Sequence, residues 1–299
     1  MTATRALLSE GRRHLQHGPI DLLIEAEGNA GVLELAHEQA WTRFTNILDE
    51  LVRELPLLKT RVHGPCPLTG RVARRMWLAC EPHRARFITP MAAVAGSVAD
   101  ELIACYRRPG IRRAWVNNGG DIALFLASGE AARVGLFADL ARFDPRGWDG
   151  RIGADGCFEV SHGMPVRGIA TSGWRGRSFS LGIADSVTVL ARTAAEADAA
   201  ATMIANAVDL DDARIVRRPA SMLKDDSDLG DLAVTVDVPS LDIEAVRCAL
   251  RSGLHHANAL RAEGLIDSCA IVCQGQLATS GPREVWHATR FDAQGLEAT

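Results

Sequence analysis

The sequence predicts an α+β fold. Two observations carry this. Helical patterns recur at 40–55, 193–208 and 243–263, and between them lie groups of short strands with turn signals, densest over 131–191. Strand groups that read as antiparallel, set between separate long helices, favour α+β over a doubly wound parallel sheet. The 299 residues suit one large domain or two intimately packed halves. They are read here as a single domain, 1–299, with any internal boundary open.

Residues 20–27 form the first predicted strand, closed by Gly28 and Asn29. A helix follows, with Ala40, Phe44, Ile47, Leu48, Leu51, Val52 and Leu55 at three-to-four spacing until Pro56 stops it. The segment from Gly64 to Gly70 holds two prolines and reads as a loop. The next helix starts near Pro90 and buries the small or medium residues Ala92, Ala95, Val98, Ala99 and Leu102. Trp115 to Leu124 is a strand interrupted by a Gly-Gly turn. Short strands are predicted at 133–137, 156–160, 167–170 and 186–191. Thr193 and Glu196 have capping-box spacing and open a helix to about Val208. A strand at 232–238, a long helix at 243–263 and a strand at 268–274 complete the reading. The tetrapeptide Ala-Thr-Ser-Gly occurs at 170–173 and again at 278–281, each time with Arg two residues later, which hints at duplication.

Charge and composition exclude several classes. Net charge is −4, and the densest basic cluster, Arg71 to Arg75, holds only three arginines and reads as a solvated face. No positive field suited to nucleic acid or an anionic membrane is present. No stretch approaches the ~20 apolar residues that span a bilayer, and the first sixteen residues do not resemble a signal peptide. Seven cysteines without a C-x-x-C pair point to buried thiols in a reducing cytoplasm. His255 and His256, being adjacent, face different sides of their helix and read as surface residues. Asp225, Asp226 and Asp228 read as a charged loop.

Three constellations carry chemistry. In Asn117-Asn118-Gly119-Gly120-Asp121, paired glycines after a strand let the backbone approach a ligand, with Asp121 accepting from it or supporting a metal; a plain β-turn fits equally well. Asp198 and Thr202 lie four apart on one helix face, where a carboxylate and a hydroxyl can share a hard cation such as Mg2+. Alternatively, Asp198 favours the helix dipole and Thr202 bonds to the preceding turn. Thr171, Ser172 and Gly173 follow a short strand and suit a phosphate or carboxylate, or form an ordinary loop.

In order and spacing these motifs resemble the ApbE-like superfamily, whose known enzymes are FAD:protein FMN transferases. Asp100 precedes Asn117 by seventeen residues, the family's interval between its Val-Asp pair and its Asn-x-Gly-Gly-Asp turn. Ala170 to Gly173, Ser186 to Val189 and Ala197 to Thr202 match its later segments. The resemblance covers roughly 88–208 and is nearest to a cytoplasmic branch. It implies a T-fold-like architecture of two related α+β halves. It also places Asp198, Thr202 and the Ala92 carbonyl on Mg2+, and Asn117 to Asp121 with Thr171 to Gly173 on the ligand. Asp121, Ser172 and Asp185 are the candidate catalytic residues, with Ser180 as a further polar contact. Two positions depart from the family. Ala95-Gly96 stands where members carry Lys-Gly, and Arg177 to Gly182 with Asp185 occupies the place of a His-x-x-x-Pro segment. The expectation is therefore a cytoplasmic, Mg-assisted enzyme acting on a small heterocyclic or nucleotide-like molecule. FAD:protein FMN transfer and non-catalytic flavin or metabolite binding are the alternatives, and a homodimer is plausible.

Overall fold

A computed structural model describes residues 2–136, 156–282 and 287–288. In chain order the strands are β1 (Thr4–Leu7), β2 (Arg13–His17), β3 (Ile20–Gly28), β4 (Ile111–Asn118), β5 (Asp121–Leu126), β6 (Ala131–Leu136) and β7 (Gly156–Ser161). They continue as β8 (Gly168–Ser172), β9 (Ser186–Ala191), β10 (Val216–Pro219), β11 (Ala233–Asp237), β12 (Ser268–Cys273), β13 (Gln276–Ser280) and β14 (His287–Ala288). The helices are α1 (Ala30–Arg53), α2 (Leu55–Leu58), α3 (Arg71–Cys80), α4 (Val94–Ile103), α5 (Ala194–Ala207) and α6 (Ile243–Ala262). Helices and antiparallel strands are segregated as an α+β protein requires.

The chain forms two compact units that interleave in sequence. The first takes residues 1–132, 160–170 and 190–199; the second takes 133–159, 171–189 and 200–299.

In the first unit, β1 to β5 pair antiparallel in sequence order, and β5 pairs with the start of β8 through Ile122↔Ile169 and Ala123↔Gly168. Strands β1 and β2 were not anticipated, because the polar and basic residues of 4–17 hide their alternation. Helix α1 begins ten residues earlier than the apolar pattern suggests. The Asn29 side chain accepts a hydrogen bond from Gly31 N–H and caps it. Its buried stripe is Ala36, Ala40, Phe44, Ile47 and Leu51, while Val52 is exposed. Pro56 falls in the first turn of α2, as its fixed φ allows.

Helix α3 corrects the reading of Arg71 to Arg75 as a mere solvated face. Val72, Ala73, Met76, Trp77, Ala79 and Cys80 are buried at helical spacing, with the arginines between them. Glu54 orders the approach to α3, accepting from the N–H groups of Thr69 at 2.8 Å and Gly70 at 3.0 Å. Pro90 opens a short 3-10 turn rather than α4 itself, and every residue from Gly96 to Ile103 is buried. The small side chains expected on one face therefore serve a helix enclosed on all sides.

In the second unit, β12 and β13 form a hairpin, β10 pairs with β11, and β14, β7 and β6 make a three-stranded sheet. The duplication hint acquires a structural counterpart here. Both Ala-Thr-Ser-Gly segments end a strand, β8 and β13, and in both the glycine passes close to the start of the neighbouring strand. A Cβ on Gly173 would lie 2.3 Å from the Asp185 carbonyl oxygen, and one on Gly281 would lie 2.5 Å from Ser268 Cβ. The matching arginine of the second copy, Arg283, and the end of the strand expected at 133–137 lie outside the described residues.

Candidate functional site

Within the first unit the Asn-Asn-Gly-Gly-Asp segment is a two-residue hairpin. Asn118 and Asp121 form its closing pair, and Gly119 and Gly120 have φ values of 67° and 114°. Both glycines occupy the left-handed region, which a Cβ disfavours. The Asn117 side chain accepts from Gly120 N–H at 2.8 Å and braces the turn. Asn118 is 5% exposed, and its Nδ2 donates to the Ala95 carbonyl at 3.1 Å. Asp121 is also buried, at 8% exposure.

Helices α4 and α5 cap one another. Asp100 of α4 accepts from the N–H groups of Ala194 at 3.1 Å and Ala195 at 2.9 Å, in the first turn of α5. Asp198 of α5 accepts from Gly96 N–H at 3.0 Å, in the first turn of α4. Each carboxylate thus satisfies amides that a helix N-terminus leaves open, and each lies where the dipole favours negative charge. Close approach makes this possible, since a Cβ on Gly96 would lie 2.2 Å from the Ala194 carbonyl oxygen.

Burial, and then the nearby Asp121 charge, hold the Asp198 carboxyl well above the usual carboxylate range, against the pull of the Gly96 and Ala95 N–H donors. Burial likewise raises Asp100 despite its two backbone donors. Asp198 keeps part of its surface open. Thr202 stands one turn further along α5, also part-exposed, and Ala92 sits in the turn before α4. Among the described residues there is no group of three or more His, Cys, Asp or Glu able to hold a metal. Any cation here must complete its shell with neutral oxygens.

Thr202 and the remaining predicted site residues belong to the second unit. Thr171 Oγ1 lies 3.0 Å from Thr188 Oγ1, and Ser172 is half-buried at the end of β8. Asp185 is held between two donors, Trp174 Nε1 at 3.3 Å and Gln274 N–H at 2.5 Å. Gln274 has φ of 44°, and its side chain also accepts from Leu241 N–H and donates to the Pro239 carbonyl. Ser180 is buried against Asn206 and accepts from Gly182 N–H. All seven cysteines are free thiols. Burial pushes Cys269 and Cys273 up to about 12, so neither supplies a thiolate near neutral pH.

Sequence reasoning did not identify Glu101. Its side chain is 2% exposed and meets Arg43 at 2.8 Å and Arg75 at 3.0 Å, with Arg71 at 3.6 Å. Burial raises its pKa, but the hydrogen bonds from Arg43 and Arg75 outweigh that and leave it below the ordinary value. The signal was the Arg71 to Arg75 run, read without its buried partner.

No helix among the described residues is long and apolar enough to cross a membrane. A UPF0280 protein of Methanopyrus kandleri is 35% identical over 221 residues, covering 72% of this chain and 83% of the relative. Another, from Methanothermobacter thermautotrophicus, is 40% identical over 123 residues, covering 41% of this chain and 43% of its own length. Among solved structures, the apo flavinyl transferase ApbE of Pseudomonas stutzeri aligns with a TM-score of 0.45 and 12% identity, over 94% of this chain and 95% of that one. The flavin transferase ApbE of Vibrio cholerae gives 0.37 and 12%, over 95% and 98%. The family described as AbpE bacteria matches residues 5–279, and with that span the chain belongs to this ApbE-like family.

Proposed function

We propose that the protein is a Mg-assisted enzyme of the ApbE-like family, acting on a small heterocyclic or nucleotide-like molecule in the cytoplasm. The observation that supports this is the link in the first unit from the Asp121 hairpin to Asp198. Asn118, the cross-strand partner of Asp121, donates to the Ala95 carbonyl, and the following Gly96 N–H holds Asp198. This link gathers two carboxylates whose mutual repulsion a divalent cation would relieve. The donor chemistry fits Mg2+, which takes oxygen ligands and retains water. Asp198 and Asp121 would hold it, with the Ala92 carbonyl and the Thr202 hydroxyl as neutral donors. Mg2+, when bound, supplies a Lewis acid for a phosphate or carbonyl oxygen of the substrate.

The chain's own groups have separate tasks. The Gly119-Gly120 turn offers backbone without side chains, so a flat ligand can lie against it. Taken by itself, the second unit carries Thr171, Ser172 and Gly173, whose hydroxyls and amides suit an anionic group. Asp185 orients Trp174 and the Gln274 turn, and a proton passed at Ser172 or Asp185 belongs to the same proposal. A T-fold-like relation between related halves is also part of it.

Transfer of FMN to a protein threonine is a second reading, favoured by the retained Asp198 and Thr202 spacing. Replacement of the family's Lys by Ala95 argues for a different ligand. Calorimetric titration of metal-stripped protein with Mg2+, with and without FAD, separates these. Mg2+ binding, with an accompanying rise in Tm, is expected for the wild type and lost in Asp198→Asn, which keeps an acceptor for Gly96 N–H. Mg2+ affinity unchanged in Asp198→Asn would sink the metal assignment. FAD binding that requires Mg2+ supports flavin transfer; no heat with FAD in either condition directs the search to other heterocycles.

A further inference from the structure

We infer that Asn118 is a positioning residue that sets the spacing between the Asp121 and Asp198 carboxylates; the inference rests on the proposed function. The sequence offers Asn118 as a ligand contact; its side chain is buried, and its Nδ2 donates to the Ala95 carbonyl. Its backbone is the cross-strand partner of Asp121 at the hairpin's closing pair. The peptide after Ala95 carries the Gly96 N–H that holds Asp198 Oδ2. One chain of contacts therefore runs from carboxylate to carboxylate, through Asn118 and the first turn of α4.

The neighbouring asparagine has a different task. Asn117 Oδ1 takes the Gly120 N–H, a bond internal to the turn. Removing it loosens the hairpin tip without cutting the link to α4. Asn118 ties the strand end to the helix by a side-chain hydrogen bond, and in a buried setting that lost bond is not replaced by solvent. Two like charges held by a rigid frame bind a cation tightly. Released from it, they move apart and the cation loses a ligand. Groups that orient metal ligands change affinity by about 10- to 100-fold when removed.

The experiment uses the full chain, stripped of metal. Mg2+ affinity is measured by calorimetry, and Mn2+ coordination by its electron paramagnetic resonance line shape. Three variants are compared with the wild type: Asn118→Leu, which keeps volume without a donor, Asn118→Ser, a mild truncation, and Asn117→Ala as the control. Circular dichroism establishes which variants fold, and Asn118→Ser carries the test if Asn118→Leu does not. The expected result is a 10- to 100-fold loss of Mg2+ affinity and an altered Mn2+ line shape in the Asn118 variants, with Asn117→Ala affected far less. Wild-type affinity and line shape in a folded Asn118 variant would overturn the inference and leave the metal site standing. No Mg2+ binding by the wild type would overturn both.

Discussion

Gly96 shows how much one missing methyl decides. A Cβ there would meet backbone atoms of α5, the Ala194 carbonyl carbon at 2.5 Å as well as its oxygen, and no rotamer change relieves such a clash. Gly96→Ala must push α4 and α5 apart and stretch the bonds that join them. A loss of about 3 kcal/mol is expected from such overpacking. It would be measured by urea denaturation, and wild-type stability in the variant would refute the close approach. In the sequence Gly96 stood out only beside Ala95, as a departure from Lys-Gly. Its physical reason lies near Asp198, 102 residues away in the chain, and local pattern does not carry contacts of that range. The hairpin glycines were legible for the opposite reason, because a two-residue turn is a local object.

At the scale of elements, α4 and α5 depend on each other for their caps. Asp100→Ala leaves the Ala194 and Ala195 amides unpaired in a buried place, at an expected cost of about 2 kcal/mol. Asp100→Asn keeps an acceptor and should recover much of that, as thermal melts of the two variants will register. Equal losses would mean that charge rather than capping dominates. The capping box at Thr193 was read from spacing, and half of it is present: Thr193 Oγ1 accepts from Glu196 N–H at 3.2 Å, while the Glu196 carboxylate turns to Arg192. Helix α3 was missed because its three arginines dominate a ten-residue span whose buried residues are Ala, Val, Met, Trp and Cys. Strand β13 was missed because Gln276 to Ser280 is short and polar. It forms by pairing residue for residue with the fully buried β12.

At the scale of the whole molecule, Glu101 binds three helices of the first unit into one electrostatic cluster, through Arg43 of α1 and Arg71 and Arg75 of α3. Its folded pKa lies below the ordinary glutamate value of 4.5, so the stability it contributes is full above that pH and is lost as pH falls through the folded value. Glu101→Gln is expected to cost about 3 kcal/mol at neutral pH, as for other broken buried pairs. The gap from the wild type should close on acidification below 4.5. A gap independent of pH would place the effect in packing instead. The α+β class was legible from periodicity, but the division into units was not, because contiguous sequence does not follow it. The first unit draws its final residues, 190–199, from well beyond β1 to β5. During synthesis, β1 to β5 and helices α1 to α4 therefore leave the ribosome well before the residues that cap α4. A nascent chain released short of residue 199 should expose the first turn of α4 to proteases, and protection should arrive abruptly once α5 has emerged.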